Sequence, residues 1–292
     1  MLSGSIYDVD LRNGTENDSK DAEKKSCRLS SNTLYIRDLG YVSENMMEKT
    51  ACADGYYLNR IKRHVAVYKK ACKKYPYSFS NLVGRMQRNG EKYHEMEVFL
   101  TASDRSHRLI LVLVPDSVYR QRLAQWKKEN PGKKIGKEQK VRLHLNMYVT
   151  NLPSDVLAAE YVFLLYSIRW QIELMFKIWK SVFSLHTGSG MNTERYLTTL
   201  YAKLILVLLD WHIFCLRRKQ IYEECGAFLS PNKCMKHLYL HSQAIRRALR
   251  QGKLAEQIQT ITMGWRRLGL LERQEKERSY TKIMKVIAAK SG

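Results

Sequence analysis

The sequence predicts an α/β protein, and three patterns along the chain carry that prediction. A strand-like, a helical and a second strand-like segment follow one another near the start, as in part of an α/β unit. A β pattern then replaces them, and beyond it the apolar spacing is helical. We divide the 292 residues into a first part of the core, a β-rich insertion, a helical part of the core and a basic helical C-terminal tail, spanning 1–64, 65–149, 150–216 and 217–292.

The first region places an acidic side chain at the end of a strand. Ser43 is a suitable N-cap for the predicted helix, and Asp38 directly follows a short alternating segment. Because chemistry in open α/β sheets lies at the carboxyl ends of strands, Asp38 is the first candidate site residue. The predicted strands span 5–11 (with a turn at Asn13-Gly14), 33–37 and 56–61, and the helix spans 43–53.

The second region predicts strands around one helix and one basic loop. Residues 131–136 form the loop, for which a solvated hairpin tip is favoured over contact with a DNA backbone. The predicted strands are 95–101, 108–114 and 140–150, and the helix is 117–129.

Two long helices are predicted to close the core. No Gly or Pro interrupts residues 154–185, which predicts a continuous helix over 155–183. The second helix spans 193–216 and is apolar on nearly all sides over 200–209, so we expect it to be buried.

The first of these helices carries a polar stripe. At about 100° per residue, Tyr166, Arg169, Glu173 and Lys180 fall within roughly 60°, and Lys177 lies next to them. One carboxylate among cations suits a site in which Glu173 holds a metal ion while the cations meet phosphates. The alternative is a solvated face with i,i+4 ion pairs.

Charge is distributed unevenly along the chain. The net charge is +22, yet residues 1–58 contain seven Lys/Arg and ten Asp/Glu. Residues 59–292 therefore carry the whole excess of positive charge. This excess favours a polyanionic partner, most simply nucleic acid, and the alternative is a ribosome-like basic protein.

Other composition features point to a reduced, soluble, cytoplasmic protein. The six cysteines form no C-x-x-C pair, and Cys234, His237 and His241 lack a fourth partner for zinc. Uninterrupted apolar runs such as 204–209 are too short to span a bilayer, and no signal-peptide pattern begins the sequence.

Two segments resemble a known family. The spacing Y-x2-R-x3-E-x6-K, formed by Tyr166, Arg169, Glu173 and Lys180, resembles the signature of the DDE transposases of bacterial insertion sequences (the IS-four group). Residues 34–41, followed by 54–62, resemble that family's segment around its second catalytic aspartate. The resemblance runs from about Ile6 to Trp211, and it implies an RNase H-like core with a β insertion between the last two carboxylates.

The resemblance also implies residue roles. Asp38 and Glu173 would be the second and third catalytic carboxylates and would hold Mg²⁺ or Mn²⁺. Trp170 and Trp179 flank the motif, and core packing is favoured over stacking on a displaced base. Phosphate contacts are implied for Tyr166, Arg169 and Lys180, and a place along the DNA groove for Arg60 and Lys62. Lys177 is added to the DNA-binding residues because of its position on the helix and not because of the resemblance.

The first catalytic aspartate has no clear counterpart. In the family it lies on the first core strand, whereas Asp8 and Asp10 fall in a segment that resembles the next strand, and Asp18 falls in the following loop. We therefore expect the first core strand to be missing and the chain to be a truncated transposase.

These patterns lead to one main hypothesis. The chain is expected to bind transposon terminal inverted repeats and target DNA as a homodimer in a synaptic complex, in the cytoplasm at the nucleoid and without a membrane partner. It would cleave and transfer DNA strands with a metal ion. The alternatives are a non-catalytic DNA-binding remnant or domesticated protein, and a basic structural or RNA-binding protein in which the motif spacing is accidental.

Overall fold

The computed structural model of the chain divides into two compact units. The β unit comprises Arg12–Arg169, and the helical unit comprises Met1–Leu11 and Trp170–Gly292. The predicted turn at Asn13-Gly14, Asp18 and residues 271–292 of the tail lie outside the described part. The structure describes residues 4, 6, 8–10, 28–101, 104–185, 187, 190 and 192–270.

A six-stranded sheet forms the centre of the β unit. Its strand order is β1-β2-β6-β5-β4-β3, with β1 and β2 parallel and every other neighbouring pair antiparallel. The fold is therefore mixed α/β. The strands are β1 Leu34–Arg37, β2 Tyr56–Arg60, β3 Val67–Tyr68, β4 Tyr93–Leu100, β5 Ser106–Leu113 and β6 Leu145–Thr150.

Two of the described helices of the β unit, those that begin at Glu44 and Asp116, start within one residue of the prediction, whereas the helix over Ser80–Asn89 was not predicted. The Ser43 hydroxyl accepts a hydrogen bond from Met46 N–H at 3.2 Å, which confirms the predicted N-cap of α1. The predicted helix over 117–129 is confirmed as α3. The helices are α1 Glu44–Cys52, α2 Ser80–Asn89, α3 Asp116–Glu129, α4 Lys137–Arg142 and α5 Ala159–Tyr166.

Both faces of the sheet are covered by apolar side chains. Leu109 and Leu111 of β5 point to one face, together with Phe79 at the start of α2, whereas Ile110 packs on the other face beside Val162 of α5. This alternation is the period of two that a strand imposes. Residues 109–112 are buried one after another because both faces of the sheet are covered at this strand.

The strands predicted as an insertion belong to the same sheet as the predicted core strands. β2 pairs with β6, with Leu58 opposite Thr150. The Thr150 hydroxyl donates to the Tyr57 carbonyl at 2.5 Å, and the Asn151 amide donates to the Gly55 carbonyl at 2.9 Å. Sequence patterns did not reveal this pairing because it joins residues far apart in the chain.

The predicted strand over 140–150 is wrong in its first half. α4 ends at Arg142, and β6 begins only at Leu145. The Arg142 guanidinium lies in the interior and donates to the carbonyls of Arg63 and Val65 at 2.7 and 2.6 Å, contacts that depend on the tertiary fold.

Packed helices form the helical unit. Its core contains Trp265, Phe214 and Ile178, all almost fully buried. The Asn192 side chain accepts from Arg195 N–H at 2.9 Å and caps α7, which extends nine residues beyond the predicted end. The helices are α6 Trp170–Ser181, α7 Thr193–Cys225, α8 Pro231–Leu240, α9 Ser242–Arg250, α10 Leu254–Met263 and α11 Trp265–Leu268.

The prediction that residues 200–209 are buried is wrong for one face of α7. Val207 and Phe214 are buried, but Ile205 and Leu209 are 60% and 58% exposed. The helix packs by one side only. By length and composition α7 meets the criteria for a membrane span, a test that core helices of soluble proteins also pass.

The predicted strand over 5–11 is wrong for its described part. Residues 6 and 8–10 have no regular secondary structure. Ile6 and Val9 instead pack against the core of the helical unit.

Candidate functional site

Asp38 lies at the carboxyl end of β1 and is half exposed. Its Oδ1 accepts a hydrogen bond from Leu39 N–H at 2.6 Å, which caps the 3-10 turn over Leu39–Tyr41. Its Oδ2 lies 3.2 Å from Arg169 Nη1. The carboxylate therefore both caps the local turn and forms an ion pair with a motif residue distant in sequence.

The helix that carries the motif is not continuous, which corrects the prediction over 155–183. α5 ends at Tyr166, a 3-10 turn spans Ser167–Arg169, and α6 begins at Trp170. The Ser167 hydroxyl donates to the Leu164 carbonyl at 2.6 Å. Such a bond back to the preceding turn competes with α-helical geometry and bends a helix. The five polar residues therefore do not belong to one continuous α-helix.

Tyr166 packs against the end of β1. Its ring is 7% exposed, and its hydroxyl donates to the Arg37 carbonyl at 3.3 Å. The Arg169 guanidinium lies 5.9 Å from the centre of that ring. Burial raises the pKa of the Tyr166 phenol, so the hydroxyl remains a donor at neutral pH. Tyr166, Arg169 and Asp38 thus form one polar cluster at the end of β1.

Arg60 belongs to a second polar cluster of the β unit. Its Nη2 donates to Asn146 Oδ1 at 3.0 Å, and Arg122 Nη2 donates to the same oxygen at 2.6 Å. Burial lowers the pKa of Arg122 to about 10. Lys62 is exposed in the loop after β2. Sequence reasoning missed Asn146 and Arg122, because nothing in their local pattern shows that they converge.

The other motif residues lie on α6. Glu173, Lys177 and Lys180 are spaced by four and three residues, so they share one helical face. With Phe176 and Ser181 they border an open groove.

The two tryptophans of the motif differ in burial. Trp179 is 5% exposed and packs in the helical core, as the favoured alternative predicts. Trp170, in contrast, is 60% exposed.

The predicted site residues therefore fall into two groups. Asp38, Tyr166 and Arg169 converge in the β unit, whereas Glu173 and its two lysines belong to the helical unit. Among the described residues, no three His, Cys, Asp or Glu side chains come together as a metal centre. Asp38 itself is ion-paired with the Arg169 guanidinium.

The C-x2-H-x3-H spacing from Cys234 to the residue after α8 likewise gives no group of potential metal ligands in the described part of the chain. His237 Nδ1 accepts a hydrogen bond from Trp265 Nε1 at 3.3 Å, and its ring packs on His241 with centroids 4.4 Å apart. Cys234 is buried, which raises the pKa of its thiol to about 12. These side chains serve packing.

Comparison with known proteins agrees with the motif. The family model for the transposase DDE domain matches residues 1–209. The chain is similar to the transposase for insertion sequence element IS231E of Bacillus thuringiensis subsp. finitimus, with 28% identity over 268 residues, which cover 84% of this chain and 56% of the relative. It is also similar to the transposase for insertion sequence element IS1151 of Clostridium perfringens, with 24% identity over 314 aligned positions, which cover 100% of this chain and 65% of the relative.

The chain thus spans a little over half to two thirds of the length of these relatives. Because the family model covers well over half of the chain, the protein belongs to the family of transposases with a DDE domain.

Proposed function

We propose that the protein acts on double-stranded DNA as an insertion-sequence transposase that binds transposon ends and cleaves and transfers DNA strands. The contact between Asp38 and Arg169 carries the proposal. It joins the two segments that resemble the family, and it does so at the carboxyl end of a strand, where α/β sheets bind their ligands. A phosphate-binding cation lies directly beside a carboxylate there.

The proposed catalytic carboxylates are Asp38 and Glu173, and the proposed cofactor is Mg²⁺ or Mn²⁺. Asp38 and Glu173 would hold such an ion, which would supply charge stabilisation for phosphoryl transfer. The described residues alone do not assemble a group of three potential metal ligands.

The proposed DNA contacts follow from the chemistry of each side chain. The Arg169 guanidinium can donate two parallel hydrogen bonds to a phosphate. A bound phosphate would therefore compete with the Asp38 carboxylate for this guanidinium. The lysines on α6 act as point charges along the groove that Glu173 borders. The proposed phosphate-contacting residues are Tyr166, Arg169, Lys177, Lys180, Arg60 and Lys62.

A cleavage assay tests the catalytic assignment. DNA carrying the element's ends is incubated with the protein and Mg²⁺ or Mn²⁺, and nicking is followed on denaturing gels. Asp38→Asn and Glu173→Gln are each expected to lower nicking by roughly 10³-fold or more, because each removes a charge that the reaction needs, while DNA binding is retained. Asp155→Asn and Glu256→Gln, which change exposed acids of the two units, are the matched controls.

Other outcomes separate the alternatives. Undiminished nicking by Asp38→Asn and Glu173→Gln contradicts the assignment. Loss of nicking in Asp8→Asn or Asp10→Asn assigns the first carboxylate to that residue. Sedimentation with and without end-bearing DNA tests the proposed homodimer of the synaptic complex.

A second function, that of a non-catalytic DNA-binding protein derived from a transposase, is favoured by one observation. Both oxygens of the Asp38 carboxylate already have partners, Leu39 N–H and Arg169. Salt-sensitive DNA binding without nicking in either metal supports this function and contradicts the first one. For either function we propose a cytoplasmic location, with the protein at the nucleoid when DNA is bound.

A further inference from the structure

The last described helices of the chain are strongly basic. Residues 231–270 contain eight Lys/Arg and one Asp/Glu. The charge is most concentrated on α9, where Arg246, Arg247 and Arg250 are all exposed, while Ala248 on the opposite side is buried. At about 100° per residue the three arginines lie within roughly 100° of one another, so they share one face. We call these three residues the α9 arginine face.

No carboxylate neutralises the α9 arginine face within the described part of the chain. Its three guanidinium groups have no ion pair or side-chain hydrogen bond there. Arg266, on the next helix but one, is in contrast ion-paired with Glu224. The one acidic residue of the region, Glu256, lies in α10.

The helix dipole accounts for the presence of only some of these arginines. Arg247 and Arg250 lie in the last turn of α9, where cations interact favourably with the helix dipole. Arg246, however, precedes Arg250 by four residues, and like charges at this spacing repel each other. A helix that keeps this repulsion unrelieved is suited to an anionic partner that removes it.

We propose that the α9 arginine face binds phosphates of the double-stranded DNA backbone, as a contact surface additional to the motif residues on α6. The proposal rests on the proposed function, which supplies the DNA. Each guanidinium presents a planar fork that matches a phosphate, so three of them on one face suit successive phosphates of a strand. Contacts of this kind position the protein on DNA and carry no sequence preference.

The salt dependence of DNA binding tests the proposal. The triple variant Arg246→Gln/Arg247→Gln/Arg250→Gln is compared with the wild type by fluorescence anisotropy on a labelled duplex of arbitrary sequence over a series of salt concentrations. Three lost phosphate contacts are expected to reduce the slope of log K against log salt by about 2.7, because each contact contributes about 0.9. Affinity in low salt is expected to fall by at least about 10-fold.

The matched control removes the same charge elsewhere. Arg120→Gln/Lys127→Gln/Lys128→Gln changes three exposed cations of α3 that have no assigned role. Its slope is expected to stay close to that of the wild type. Equal slope changes in the two triple variants overturn the proposal, because they show a general charge effect. Binding of anionic phospholipid vesicles in place of DNA also overturns it.

Two further measurements distinguish a failure of this proposal from a folding defect of the variant and from a failure of the proposed function. If the glutamine variant does not fold, the variant with all three arginines changed to lysine keeps the charge and loses only the forks. It is expected to retain the salt slope while affinity falls several-fold. Wild-type affinity in that variant overturns the assignment of guanidinium contacts. Absence of DNA binding by the wild type instead contradicts the proposed function itself.

Discussion

The two units use arginine in different ways. In the β unit, arginines bind the protein's own backbone: Arg142 donates to the carbonyls of Arg63 and Val65 and pairs with Glu138. Arg122 likewise donates to two backbone carbonyls beside β6. In the helical unit, the α9 arginine face has no such partner among the described residues.

This difference shows why net charge is a poor guide to a binding surface. A charge of +22 counts a buried guanidinium and an exposed one alike. A buried arginine that satisfies carbonyl groups stabilises the fold and is unavailable to DNA. An exposed arginine without a carboxylate contributes to the electrostatic attraction of a polyanion. Which arginines belong to each class depends on the tertiary structure.

The largest expected effect is on the stability of the β unit. Arg142→Gln removes the ion pair with Glu138, which keeps the hydrogen bond from Phe79 N–H, and it leaves two carbonyls without their donors. The free energy of unfolding is therefore expected to fall by about 3–5 kcal/mol, mainly from the two carbonyls. Urea unfolding, followed by pulsed hydrogen exchange of β5 and β6 peptides, measures it. The exposed Arg120→Gln serves as control and is expected to change stability by less than about 0.5 kcal/mol. A small effect in Arg142→Gln contradicts a structural role for this arginine.

A second prediction uses a buried histidine of the β unit. His107 is 2% exposed, its Nδ1 lies 2.6 Å from the Tyr57 hydroxyl, and burial lowers its pKa to about 4. Between about pH 6.5 and pH 4 the unfolded chain takes up a proton that the folded chain does not. The β unit is therefore expected to lose up to about 3 kcal/mol of stability as the pH falls through this range.

A double variant isolates that histidine. Tyr57→Phe/His107→Leu replaces both partners by apolar groups, so stability at pH 7 is expected to change little and the loss toward pH 4 to disappear. The same unfolding measurement at pH 7, 5.5 and 4 gives the answer. An unchanged pH dependence in the variant rules out His107 as its source.

The helical unit is expected to respond to pH in the opposite direction. Asp210 of α7 is 8% exposed, and burial raises its pKa to about 6. The unfolded chain releases this proton at lower pH, so stability is highest below about pH 4 and is lost as the pH rises to about 6. Asp210→Asn is therefore expected to stabilise this unit by up to about 3 kcal/mol at pH 8 and hardly at all at pH 4.

Tryptophan fluorescence suits this measurement because four of the five tryptophans belong to the helical unit. Glu194→Gln, an exposed change in the same helix, is the control. Equal stabilisation by Asp210→Asn at both pH values is the result that argues against a buried, ionisable Asp210.

The smallest effects concern the helix caps. Ser43 caps α1 and Asn192 caps α7, each through a side-chain oxygen that accepts a backbone N–H. Replacing either by alanine is expected to cost about 1 kcal/mol. Hydrogen exchange resolved by peptide shows whether Ser43→Ala loosens only the β unit and Asn192→Ala only the helical unit. Equal loosening of both units by either variant shows that they unfold as one.

Local patterns predicted the elements around Asp38 well. The predicted elements over 33–37, 43–53 and 56–61 agree with β1, α1 and β2 to within one residue at every boundary. Each of these elements depends on residues that are close in sequence, through apolar-polar alternation in the strands or a capping side chain in the helix. The break at Ser167 was not predictable in this way, because residues 154–185 contain no Gly or Pro and the break lies at a serine.

The sequence by itself determined the α/β class, the basic character and the motif residues from Tyr166 to Lys180 that resemble the family. These properties depend on residue identity and spacing, which are local. Only the tertiary structure decided that Asp38 pairs with Arg169, that β2 joins β6, and that α7 leaves one apolar face exposed. These contacts connect distant residues, and their free energy depends on which surfaces the complete fold buries.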